Sequence, residues 1–483
     1  MIIEQDKLKE LLELSLNCGR QMQSPQTGYV HYYYHSQISD VQHTIPILEN
    51  VLFALSLLRS RLVENANEAK GILSRLLIFQ DETKGNFPMY VHHFPECQDN
   101  FLGLSLLAPF YWILKQFGHV LGQELRSNLE ATVKAILAHS LQLQPPYAFA
   151  MRLAAARCAF GQLWSDAALI QLGTEQLNEL QARGHVDEWH KTRHLSHMLI
   201  ALQMVYPSIK NSPWKDFWHY LEQTWHQQAC SYVGPCLSEE QRGEEPEVSL
   251  YDLFLGYFSK QLAARSKLVH PCQLHAALIQ SSDDQLEFVT GNVKGQHANQ
   301  AWMLWHKKEW ACTLLDKKEL LNSTLEHSYT FLRFVWGNAS RTHTLVCQGS
   351  IAKVEYEANF PHVTLILHLE KEVDAENREK QKEINFYLDF HPEAKIKVDQ
   401  QASSTFELGQ LVTIESEQRK LDLTFEQIEG KGQFLGHLMR GNRPCQMSAK
   451  GEERFKAHDW HLLLRTIRRA GKCVIKAQIN LIS

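Results

Sequence analysis

The sequence has no run of the roughly 18 apolar residues that a membrane-spanning helix requires. It has no Cys-x-x-Cys pair, and its ten cysteines are scattered singly from Cys18 to Cys473. That spacing argues against a zinc ribbon and suits reduced thiols; only Cys230 and Cys236 lie close enough to suggest a bridge. No Gly-x-Ser-x-Gly elbow occurs, which argues against an α/β-hydrolase. Glycines stand near basic residues in "GQFLGHLMRGNRP" and "VWGNASRTHT", yet neither has the strand-to-helix context of a phosphate loop or dinucleotide fingerprint. The net charge is small as well. A formal net charge of −5 over 483 residues creates no field that would recruit nucleic acid or an anionic membrane. The opening "MIIEQDKLKELLELSLNCGRQ" carries charges through its first nine residues and reads as an amphipathic helix, without the basic segment and apolar core of a secretory signal. A cytoplasmic protein is expected, with no nucleic-acid or membrane partner and no cofactor; nothing in the sequence fixes an oligomeric state.

What is present is an ordinary globular composition, 44% hydrophobic and 21% charged, on a chain long enough for two or three domains. From about residue 4 to 280 the apolar residues recur with helical period, most clearly in "TIPILENVLFALSLLRSRL", where Ile47, Leu48, Val51, Leu52, Leu55 and Leu58 form one stripe. About eleven such stripes are expected as helices, including one over 214–229, with no strand among them. After residue 283 the period changes to two. In "HVTLILHL" Val363, Leu365, Leu367 and Leu369 alternate with more polar positions, and "INFYLDF", "LDLTF" and "IKAQINL" repeat the pattern. Strands that bury one face pack as antiparallel sheets, so the fold class is α then β: a helical domain over 1–282 followed by an antiparallel β-sandwich domain over 283–483. The charged run "EKEVDAENREKQKE" reads as a hairpin loop, "SEEQRGEEPE" as a long loop or lid over 238–247, and "RTIRRAGK" as a guard on an edge strand.

Two short segments match each other. "GYVHYYYH" (28–35) and "GNFPMYVH" (85–92) share Gly-x4-Tyr-x-His, pairing Tyr33 with Tyr90 and His35 with His92, and each precedes a long apolar stripe. The 57-residue spacing is what one helical hairpin and its connections consume. Hairpins repeated around a ring place equivalent loops at one end, so these loops are expected to face a common opening. "GHVDEWHKTRH" (184–194) is a looser echo.

Many helical hairpins followed by a strand-rich sandwich, with aromatic and histidine-rich loops, the helix "DEWHKTRHLSHML" and the Glu-x3-Tyr start in "EPEVSLYDLFLGYFS", resemble the polysaccharide lyases with an (α/α) toroid: the heparinase II/III, alginate lyase and chondroitin AC lyase group. The resemblance is mainly architectural and covers nearly the whole chain. It implies a toroid cleft acting on an acidic polysaccharide or oligosaccharide. Cleavage by β-elimination removes the proton α to a uronate carboxylate and expels the 4-oxygen, which calls for a carboxylate binder, a base and an acid. Under that resemblance Tyr251 is the candidate base or acid, with Glu247 one helical turn earlier to orient it; His194 binds the carboxylate or carries the proton, and Arg193 supplies charge. Tyr33, His35, Tyr90, His92 and His190 are the candidate sugar contacts.

Other readings stay open. His190, His194 and His197 are spaced to share a metal along one helix face, and His92, His93, Cys97 and Asp99 could form a second ligand set, although no metal is expected. A glycoside hydrolase would need two carboxylates about 5 to 9.5 Å apart, drawn from Asp99, Asp187, Glu188 and Glu247. A non-catalytic glycan- or protein-binding chain on the same fold is the third reading, so the sequence leaves open whether the protein is an enzyme.

Overall fold

A computed structural model describes residues 2–32, 44–81, 85–187, 189, 192–235, 250–262, 271–287, 289–297, 300–316, 329–338, 341–349, 351, 353–369, 382–388, 395–416, 419–444 and 458–482. The chain forms two compact units: Met1–Glu222 with Val248–Glu287, and Gln223–Glu247 with Phe288–Ser483.

The first unit is helical. Its elements are α1 (Ile2–Met22), α2 (Ile47–Arg59), α3 (Val63–Leu77), α4 (Leu102–Phe117), α5 (Gln123–His139), α6 (Tyr147–Trp164), α7 (Ala167–Asp187), α8 (Thr192–Val205), α9 (Lys215–Thr224), α10 (Leu250–Phe258) and a 3-10 helix, Pro271–Leu278. α2 packs on α4, α4 on α6, α6 on α8, α8 on α10, α10 on the 3-10 helix, and the 3-10 helix back on α2, which closes a ring. α1, α3, α5 and α7 lie against this ring from outside, on the 3-10 helix, α2, α4 and α6 respectively. The sequence explains the sorting. Every residue of α4 from Leu102 to Leu114 is buried, as a helix surrounded by others requires. α3 buries only Ala69, Ile72, Leu73 and Leu76, a single stripe at helical spacing. This is the (α/α) toroid expected from the repeated hairpins.

The ring helices α2, α4, α6 and α8 run in the same direction. Pro46, before α2, bridges to Tyr90, before α4. Phe101 and Phe149, at the starts of α4 and α6, lie 5.3 Å apart between ring centres, and Tyr147 and His194, at the starts of α6 and α8, 6.1 Å. Further along, Tyr111 of α4 meets Phe160 of α6 at 5.6 Å and donates its hydroxyl hydrogen to Met204 O of α8 at 3.2 Å. The loops that precede these helices therefore share one end of the ring.

The second unit is strand-rich: β1 (Trp225–His226), β2 (Ser231–Tyr232), β3 (Gly291–His297), β4 (Gln300–His306), β5 (Trp310–Leu315), β6 (Tyr329–Asn338), β7 (Arg341–Gly349), β8 (Lys353–Asn359), β9 (His362–Leu369), β10 (Lys382–Leu388), β11 (Lys395–Val398), β12 (Thr405–Phe406), β13 (Val412–Ser416), β14 (Arg419–Pro444) and β15 (His458–Ile482). β3 to β15 form one antiparallel hydrogen-bonded system of 13 strands. Its spine is the long hairpin β14–β15, whose register shifts around Gln427–Phe434. On one side of that bend β15 pairs through Cys473–Asn480 with β9, and on the other through Trp460–Arg465 with β10. The two halves face each other across a shared core: Phe386 of β10 meets Phe425 of β14 edge-on at 5.5 Å, and Val363, Leu365, Leu367, Leu345 and Ile384 belong to the same cluster. The sandwich predicted from the period-two pattern is thus one sheet folded over its longest hairpin.

Two expectations change, and a third segment is placed. The helix expected over 214–229 ends at Thr224, and the chain turns into the short hairpin β1–β2, so the region before 283 does contain strands. The segment between β9 and β10 is not a hairpin connection, because the two strands do not pair and instead lie end to end along β15; the charged run itself lies outside the described residues. Period two reports which face a strand buries and says nothing about which strand lies beside it. "RTIRRAGK" falls at the bend itself, where β15 pairs with β14 through Thr466, Arg468 and Arg469. The lid expected over 238–247 lies outside the described residues.

Candidate functional site at one end of the helical ring

The two matched loops open on the same turn. Gly28 N donates to Ser24 O at 2.8 Å and Gly85 N to Asp81 O at 2.7 Å; Ser24 N donates to Tyr29 O at 2.9 Å and Asp81 N to Asn86 O at 2.8 Å. Both glycines are left-handed, with φ of 74° and 59°. In each loop a glutamine five residues earlier donates to the glycine carbonyl, Gln23 at 2.8 Å and Gln80 at 3.0 Å. The repeat is therefore Gln-x4-Gly-x4-Tyr-x-His. Its glutamine is legible in the sequence once the turn is known. Buried Asn50 fixes the first loop to α2, accepting from Val30 N at 2.8 Å and donating to Val30 O and Pro46 O at 2.9 and 2.7 Å. Asn86 fixes the second to α4, accepting from Gly103 N at 2.8 Å.

Tyr90 is buried, and its ring stacks on His92 at 5.6 Å and meets His93 edge-on at 5.3 Å. His92 itself is exposed. Desolvation, then the neighbouring His93, pushes the His92 pKa below the usual imidazole value. A neutral, accessible imidazole is a proton acceptor. Next around the ring, His194 in the first turn of α8 is half-buried and stacks on Tyr147, and His197 one turn later lies 6.1 Å from Phe149. Tyr251 occupies the second position of α10 and is only 1% exposed. Tyr33, His35, His190 and Glu247 lie outside the described residues, as does the side chain of Arg193, whose backbone belongs to α8.

Other expected roles resolve differently. Asp99 accepts from Phe101 N at 2.7 Å, and its carbonyl accepts from Asn86 at 2.5 Å, so it shapes the entry to α4. Cys97 is buried and forms no disulfide. Among the described residues no group of three or more His, Cys, Asp or Glu side chains is arranged to hold a metal ion.

The structure also brings forward residues that the sequence reading missed. Glu49 near the start of α2 is 1% exposed, Arg152 on α6 is 2% exposed, and His275 on the 3-10 helix is 7% exposed. Burial, aided by the charge of Arg152, pulls the His275 pKa down to about 3, which keeps this imidazole neutral. Charged side chains this deeply buried on ring helices are expensive unless paired or used. The available signal was a Glu inside the apolar stripe "TIPILENVLF" and an Arg inside "YAFAMRLAAA".

The described residues define a class: a closed ring of helices followed by a folded antiparallel sheet. No protein-family model matches the chain, and no curated protein sequence is significantly similar to it. Among solved structures the chain is similar to the Streptomyces coelicolor A3 chondroitin AC lyase in complex with chondroitin sulphate, at 8% identity over 98% of this chain and 79% of that one, with a TM-score of 0.49. It is also similar to heparinase III, at 7% identity over 100% of this chain and 85% of that one, with a TM-score of 0.43. A glycoside hydrolase aligns over 89% of this chain and 90% of its own, at 8% identity and a TM-score of 0.30.

Proposed function

We propose that this chain is a polysaccharide lyase-like protein that cleaves an acidic, uronate-containing glycan by β-elimination in the opening of the helical ring. The observation that carries this reading is the gathering of phenol and imidazole groups at one end of the ring, Tyr90–His92–His93 before α4 and Tyr147–His194 between α6 and α8. In the reaction a base takes the proton α to the carboxylate, its electron pair forms the new C=C bond, and the 4-oxygen leaves with a proton from the acid. Tyr251 is assigned the base or acid role with Glu247 orienting it, His194 the binding of the carboxylate or the carriage of the proton with Arg193 supplying charge, and Tyr33, His35, Tyr90, His92 and His190 the sugar contacts. A reducing, cytoplasmic compartment is part of the proposal, on the single spacing of the ten cysteines.

The test is incubation with a panel of uronate polymers while following the ultraviolet absorbance of the unsaturated uronate. Turnover of at least one polymer is expected, and Tyr251→Phe and His194→Ala should each lower kcat by about 10²-fold or more, the usual contribution of a general acid or base, with unchanged circular dichroism. A flat trace across the whole panel removes the lyase reading. One observation favours the alternative of a non-catalytic glycan-binding chain: Tyr90 and Tyr251 are 2% and 1% exposed, as packed aromatics would be. Glycan binding with no absorbance change would select it.

A further inference from the structure

We propose that the opposite end of the helical ring holds a binding site for a small anionic amphiphile, a molecule with one acidic head group and an acyl-length apolar body. A cavity of about 1040 Å³ opens there, between the start of α1, the α2–α3 corner, the end of α4 and the end of the 3-10 helix. Pockets that enclose drug-sized molecules run from about 300 to 1,000 Å³, so the space is ample for such a ligand. Its wall is predominantly apolar, with Leu12, Leu58, Phe117, Val120 and Ile279 among the lining residues. Leu62 and Val63 at the corner are 57% and 72% exposed. Two adjacent aliphatic side chains left in water beside an apolar cavity favour an apolar occupant over a bare ion.

The charged groups in the lining are all of one sign. Lys9, Arg59 and Arg61 contribute to it, and among the described residues no Asp or Glu does. Lys9 lies 3.9 Å from Glu13, an exposed pair worth little in water. Arg59 is set differently. Its guanidinium donates to the carbonyl oxygens of Ala277 and of Ile279, the latter at 3.0 Å. Among the described residues no carboxylate pairs with it. Desolvation lowers its pKa to about 9, so it remains a cation at neutral pH. A guanidinium held by neutral carbonyls at the wall of an apolar cavity is matched by an anionic head group, which it can grip bidentately.

The probe is sodium decanoate, titrated calorimetrically into the full-length protein, with decanol and acetate as the tail-only and head-only controls. One decanoate per chain is expected, with decanol at least tenfold weaker and no heat from acetate. Leu62→Asp, which places a negative charge at an exposed position, should weaken decanoate at least tenfold without altering circular dichroism. Ala66→Trp, filling the cavity from α3, should abolish binding. Absence of decanoate binding overturns the proposal, as does equal affinity for decanol, or affinity unchanged in both variants. Co-sedimentation with phosphatidylglycerol vesicles without decanoate binding would make this end a membrane-facing surface and also overturn it.

Discussion

Gly28 and Gly85 occupy equivalent turns but do not have equivalent surroundings. A Cβ on Gly28 would meet nothing closer than an Arg75 guanidinium nitrogen at 3.6 Å, whereas a Cβ on Gly85 would lie 2.5 Å from the carbonyl oxygen of Ala135. Gly28→Ala should therefore cost only the left-handed backbone penalty, about 1 kcal/mol. Gly85→Ala should cost about 3 kcal/mol, because the backbone must move as well. Urea unfolding of the two variants checks the order, and equal midpoints would show that the Ala135 carbonyl gives way without cost. The Gly-x4-Tyr-x-His match in the sequence identified these turns, while the difference in crowding comes from α5, a neighbour that no local pattern names.

The β1–β2 hairpin is tied to the folded sheet by polar groups. His226 hydrogen-bonds through Nε2 with Lys307 O at 2.9 Å, His306 through Nδ1 with Gln223 O at 3.1 Å, and Thr313 Oγ1 donates to Val233 O. Both histidines are fully buried, with ring centres 5.2 Å apart. Burial lowers both pKa values, and His226 helps to pull His306 down to about 4. The unfolded chain binds more protons than the folded one between the ordinary imidazole value and these lowered values. Stability from the pair is thus complete above an ordinary histidine pKa and is lost as pH falls toward about 4. For His306 the dependence should approach about 1.4 kcal/mol per pH unit, and His226 adds to it in the same direction. Thermal unfolding measured from pH 7 to pH 4 in wild type and His306→Gln checks this; the variant should lose about one proton of slope, and identical profiles would refute it.

At the scale of the whole molecule, the chain enters the strand-rich unit at Gln223, returns to the helical unit at Val248 and leaves it again after Glu287. A fragment beginning at 288 therefore lacks the hairpin that covers His306 and Thr313. It is expected to melt below a chain in which 223–247 is joined by a flexible linker to 288–483, and to bind a hydrophobic dye that the joined chain excludes. Equal melting temperatures would mean that the hairpin is dispensable. The same long-range order explains why the sequence reading made a hairpin of the segment between β9 and β10. Each strand was recognised from its own alternation, but the partner that places them end to end is β15, about a hundred residues further along the chain.

The sequence by itself determined where the chain is helical and where it is extended, because those choices depend on whether apolar residues recur every three to four positions or every two. It also marked two matching turns and placed His194 and Tyr251 on helices, where the structure has them. Only the tertiary structure decided that six elements close into a ring, that a hairpin from the helical half belongs to the sheet, and that Glu49, Arg152 and His275 are buried within the helical unit. Those outcomes depend on which faces meet across long stretches of chain, and periodicity records that a face is buried without recording what buries it.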